Sequence, residues 1–197
     1  METEKRIFKV SDVNMMENSK TMHSHFVDDQ VAFTDFDNDF APPYEHDWQS
    51  AINVSGSQLT DEMIRDQMEE DTADVLAGMK LCRDKFQDSK HFIEKAFPNN
   101  KAVQKEFGYD NYDRDRKGQG SFISFMKLFF ETATKYSGEL AAKGYDAAKV
   151  AEIETLTADL EKKERHQEKF KGDRGVITQT RIETHNALWA ITVNVSR

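Results

Sequence analysis

Asp35, Asp37 and Asp39 alternate with Phe36 and Asn38, the spacing with which a calcium loop presents oxygen ligands at positions 1, 3 and 5. The rest of such a loop is missing. Position 6 is Phe40 instead of glycine, and position 12 is His46 instead of glutamate. Asp113, Asp115 and Gly118 match positions 1, 3 and 6 of a second loop, but Lys117 occupies position 5 and Ser124 position 12. Di-iron sites in helical bundles need Glu-x-x-His, which sets both ligands on one face. The nearest pattern is Asp88-Ser89-Lys90-His91. His23 and His25 stand two apart, about 200° around a helix, so they cannot share an ion by themselves. The weak metal candidates are therefore Asp35, Asp37 and Asp39, and no cofactor is expected. His23, His46, His166 and His185 are expected at the surface or as caps. Gly118-Gln119-Gly120 is too short for a phosphate loop. Cys82, the only cysteine, sits on an apolar stripe and is expected to be a buried, inert thiol. With no convergent catalytic set, the chain is not expected to be an enzyme.

A second group of polar residues falls where helical spacing calls for apolar ones: Asp29, Lys163, Gln167, Arg174 and Arg181. A buried charge is costly unless paired. Each is therefore expected to pair, to reach solvent, or to line a cleft for an anionic ligand or a partner. Arg174 and Arg181 are expected to find Asp29, Asp71 or Asp74. Trp48, Leu188, Trp189, Ile191 and Val195 are candidate core or interface anchors, because the last apolar stripe runs almost to residue 197.

These residues need long helices to position them. Three prolines and nine glycines leave few breaks. Ser11 is a plausible N-cap, after which Met15, Ser19, Met22, Phe26, Asp29, Phe33, Phe36 and Phe40 step by three and four. Pro42 and Pro43 kink this first helix or start a short one carrying Tyr44, Trp48, Ala51 and Val54. Thr60 caps a second helix with a stripe of Met68, Thr72, Val75, Met79, Cys82, Phe86, Ser89, Ile93 and Ala96. Residues 98–120 form a connection: a short helix from Lys101 to Phe107 ended by Gly108, then a loop, packed near the C-terminal half of the last helix. Phe122, Met126, Phe129, Ala133, Tyr136 and Leu140 mark a third helix, widened by Phe125 and Phe130. Asp146 caps the fourth, whose stripe runs Ile153, Leu156, Leu160, Lys163, Gln167, Phe170, Arg174, Ile177, Arg181, Thr184, Leu188, Ile191 and Val195. The pattern predicts an all-α, elongated, antiparallel four-helix bundle in up-down-up-down order. It is read as a single domain over residues 1–197, with an extended segment at 1–10.

The net charge of −9 is unevenly spread. Fourteen acids face one base, Arg65, between Asp28 and Asp74, whereas the residues from Val75 on carry a net +4. That asymmetry can draw copies together, and it argues against nucleic acid, which needs clustered Lys and Arg. No stretch has the length of a membrane span and residues 1–10 lack a signal-type apolar run, so the cytoplasm is expected. The leading expectation is a non-enzymatic helical scaffold or interaction protein that self-associates. The alternative is a ligand- or metal-binding bundle using its polar core residues.

Tyr109-Asp110-Asn111-Tyr112, Ala142-Lys143-Gly144-Tyr145 and the run from Thr178 through Arg181 to Asn186-Ala187-Leu188-Trp189 resemble patterns in uncharacterised long-helix bundle proteins of Bacteroidetes-type bacteria. The resemblance covers the second half of the chain. It implies a helical bundle and carries no activity.

Overall fold

A computed structural model of the chain describes residues 4–196. It is all-helical, with no strand among those residues. The elements are α1 (Asp12–Asp28), α2 (Gln30–Phe36), a 3-10 turn (Asn38–Phe40), α3 (Tyr44–Gly56), α4 (Asp61–Ala96), α5 (Lys101–Glu106), α6 (Tyr112–Asp115), α7 (Gln119–Lys135), α8 (Ser137–Ala141) and α9 (Ala147–Val195). The chain divides into two compact units, Met1–Ile64 with Asp173–Arg197, and Arg65–Gly172. It passes between them within α4 and within α9.

In the first unit, Ser11 caps α1 by accepting from the Asn14 N–H at 3.2 Å. The stripe expected to continue to Phe40 breaks earlier. Asp28 and Asp29 lie where the negative end of the helix dipole disfavours acids, and α1 ends there. Asp37 then adopts an extended backbone and its carboxylate accepts from the Asp39 N–H at 2.9 Å, the local bond that makes aspartate a turn residue. After Pro42–Pro43, α3 packs against α1. Trp48 is fully buried, its ring centroid 5.7 Å from that of Phe26. The buried face of α3 is Trp48, Ile52 and Ser55; Val54, expected inside, is exposed. Phe8, Met15, Phe26, Phe40, Trp48, Ile52 and Leu188 form the core. Each large apolar side chain so buried contributes roughly 1.5–3 kcal/mol.

In the second unit, Val75, Met79, Cys82, Phe86 and Ile93 of α4 meet Phe122, Phe125, Met126, Phe129 and Ala133 of α7, and Ile153 and Leu160 of α9. The connection over 98–120 belongs to this core and does not pack near the C-terminal half of α9 as expected. Phe107 and Tyr112 supply the reason: both rings are buried against Phe86, Phe125 and Phe129. Tyr112 stacks on Phe86 at 4.5 Å and opens α6, where the sequence reads as loop. Gly108 sits at φ +84° under the Phe125 ring, a backbone conformation natural to glycine.

Candidate functional site

One of the polar stripe residues, Lys163, lines a groove between α4 and α9 in the second unit, and Gln167 lies one turn further along α9. Gln67, Glu70, Asp71 and Asp74 of α4 line the groove with Asp159, Lys162, Lys163 and His166 of α9, enclosing about 310 Å³. Asp71 is its deepest charge, with 6% of its side chain exposed. Both of its neighbours approach one oxygen: Gln67 Nε2 donates to Oδ1 at 3.0 Å and His166 Nδ1 lies 3.3 Å from it. Oδ2 is buried and has no donor among the described residues. Next to this set, Gln167 Nε2 donates to Thr72 Oγ1 at 2.8 Å, while its Oε1 is also buried without a donor. Each such oxygen costs about 1–3 kcal/mol if nothing satisfies it. Lys163 is held by Asp159 at 2.8 Å.

The first unit holds a second polar constellation. Ser55 Oγ and His185 Nδ1 are 2.6 Å apart, and His185 Nε2 lies 3.8 Å from Asp12 Oδ2. The residue types are those of a hydrolytic triad, but Ser55 and His185 are both buried and Phe8 covers the imidazole at a centroid distance of 6.5 Å. A nucleophile needs room for a reacting atom, and Ser55 and His185 are instead a packed, hydrogen-bonded pair with Asp12 nearby. Burial lowers the His185 pKa, against the raising influence of Asp12. Arg6 pairs with Asp12 at 2.6 Å. Asn186 fastens the same segment, accepting from the Ile7 N–H at 3.1 Å and donating to the Lys5 carbonyl at 2.9 Å. Deeper in the unit, Ser19 Oγ accepts from Trp48 Nε1 at 2.9 Å and from Thr192 Oγ1 at 2.8 Å.

No family model, curated protein or solved structure matches this chain.

The geometry therefore has to carry the assignment. Of the polar stripe residues, Gln167 and Arg181 are buried, Lys163 is half-buried, and Asp29 and Arg174 are exposed. Arg181 pairs with Asp61, not with Asp29, Asp71 or Asp74, because the start of α4 lies beside it: NH2 to Oδ1 is 2.6 Å, and NH1 to the Leu59 carbonyl is 2.9 Å. Asp29 leaves the stripe because α1 ends before it. Asp35, Asp37 and Asp39 are all exposed. Among the described residues, no three His, Cys, Asp or Glu side chains converge to hold a metal ion. Asp113 and Asp115 pair with Arg116 and Arg114. Trp48 and Leu188 are core, while Trp189, Ile191 and Val195 are half-buried at its edge. Cys82 is buried, and burial raises its thiol pKa to about 11. His23 and His185, expected outside, are buried; His23 meets Glu45 Oε1 at 3.3 Å and the edge of Trp48. No helix among the described residues is long and apolar enough to cross a membrane.

The end of α1 and the short α2 carry exposed apolar side chains. Phe36 is 84% exposed and Val31 75%, with Val27 exposed one turn earlier. Around them, Asp28, Asp29, Asp35, Asp37 and Asp39 are exposed and make no ion pair among the described residues.

Proposed function

We propose that the chain is a helical interaction protein that associates with further copies of itself through the α1–α2 face. The observation that carries this reading is the exposure of Phe36 and Val31 within an acidic surface. A phenylalanine left in water forfeits burial worth roughly 1.5–3 kcal/mol, and covering it in a contact recovers that energy. An acidic face repels its own copy, so it does not pair across a two-fold axis. It suits a head-to-tail contact with a different, basic surface. On α9, Arg165 and Lys169, one turn apart, are exposed and form no ion pair among the described residues. They supply the complementary charge for an aspartate-rimmed apolar face.

Light scattering over a concentration series tests this. The mass is expected to rise with protein concentration and to fall as salt screens the charges, since the Debye length is only about 8 Å at physiological ionic strength. Phe36→Ser is expected to shift the distribution to monomer with an unchanged helical circular dichroism spectrum. A monomer at every concentration and salt overturns the reading.

A further inference from the structure

We propose that the α4–α9 groove around Asp71 is a binding site for a small organic amine, with the ligand's ammonium group drawn to the Asp71 carboxylate. This inference rests on different observations from self-association: none of its residues belongs to α1 or α2, and Arg165 and Lys169 do not line the groove.

The argument is a count of donors against acceptors. Gln67 donates to Asp71 Oδ1, His166 Nδ1 stands 3.3 Å from the same oxygen, and Gln167 donates to Thr72. Asp71 Oδ2 and Gln167 Oε1 are left as buried acceptors with nothing to accept. A group that complements these acceptors is a donor. An ammonium has three N–H donors and no acceptor, so it matches a carboxylate in both charge and polarity. Glu70 and Asp74, one turn apart on the same wall, are exposed acids placed to hold a second positive group near the rim. Lys163 does not compete for Asp71, since it is paired with Asp159. A metal ion fits less well. It needs several converging ligands, and no such trio exists among the described residues. The space, about 310 Å³ and open on one side, suits a short amine.

The probe is 1,4-diaminobutane, titrated into the full chain by calorimetry, with 1,4-butanediol as its uncharged counterpart and magnesium chloride as a metal control. Saturable binding of the diamine and none of the diol is expected. In an amide-correlation NMR spectrum the shifts should centre on residues 67–74 and 159–167. Asp71→Asn is expected to weaken binding by about tenfold or more, and Asp66→Asn, at an exposed position outside the groove, to leave it unchanged. Should Asp71→Asn fail to fold, Glu70→Gln and Asp74→Asn decide, because both residues are exposed: each must weaken the diamine. The proposal is overturned if the diamine does not bind, if the diol or magnesium binds as well as it does, or if the groove variants bind as the parent chain does.

Discussion

Arg181 and Asp61 meet at 2.6 Å, yet only 7% of the arginine side chain is exposed against 77% of the aspartate. The pair is lopsided. Solvent serves Asp61, whereas Arg181 depends on it and on the Leu59 carbonyl for its charge.

That asymmetry separates three substitutions in a urea titration. Asp61→Asn is expected to cost about 1 kcal/mol, the scale of a charge-assisted bond whose acceptor is largely screened. Arg181→Ala should cost more, about 2–4 kcal/mol, because it also opens a cavity and strands the Leu59 carbonyl. Arg181→Met, which fills the space without a charge, should fall between parent and alanine variant. A larger loss for Asp61→Asn than for Arg181→Ala would contradict this account.

His185 predicts a stability profile on the acid side. Burial depresses its pKa in the folded chain below the ordinary 6.5, so the unfolded chain binds the extra proton first. Stability is then complete above about pH 6.5 and declines as pH falls through the folded value. The charged groups facing it are Asp12, Arg181 and Arg6; the two arginines resist its protonation and Asp12 favours it. His185→Gln is expected to flatten the decline between neutral pH and pH 5, measured as the urea midpoint. An equal decline in parent and variant would assign the acid sensitivity elsewhere.

Two glycines with positive φ should respond differently to alanine. At Gly144, φ +92°, an added Cβ would find its nearest neighbour, Phe92 Cε1, at 3.8 Å, leaving only the backbone penalty of about 1–2 kcal/mol. At Gly108, φ +84°, the same atom would stand 2.5 Å from Phe125 Cε2, inside a ring cluster that has no room to retreat. Gly108→Ala is therefore expected to lower the thermal midpoint clearly more than Gly144→Ala, the excess being an overpacking cost of about 1–3 kcal/mol. Equal midpoints would show that Phe125 yields freely.

The long helices were legible because Val75, Met79, Cys82 and Phe86 on α4, and Phe122, Met126 and Phe129 on α7, repeat at three- and four-residue steps and are buried together. The polar sites were not, for a reason visible in the register. On α9 the buried arc is Arg181, His185, Leu188 and Thr192, one residue away from the stripe through Thr184 and Ile191. On α4 it passes through Asp71 rather than Thr72, and on α3 it ends at Ser55 rather than Val54. Ser55 and His185 go inward as a pair that bonds across two helices, whereas Asp71 is bonded by Gln67 one turn earlier on α4 and faces His166, a partner on another helix. Periodicity within one helix contains no information about that partner. The steps of four from Asp71 to Val75 and from Arg181 to His185 were the available signal. The early end of α1 had a signal too, in Asp28-Asp29, where the stripe itself turns polar.

The discontinuous make-up of the first unit matters for how the chain is born. Phe8, Met15, Phe26 and Trp48 close their core on Leu188, and the unit takes its remaining residues from Asp173 onward. On a ribosome adding about 5–20 residues per second, the first 64 residues wait for the whole Arg65–Gly172 unit to be synthesised before that core can be completed. During that delay of roughly 5–20 seconds the nascent acidic segment carries unburied aromatic rings, and its excess of aspartates is then its protection against aggregation.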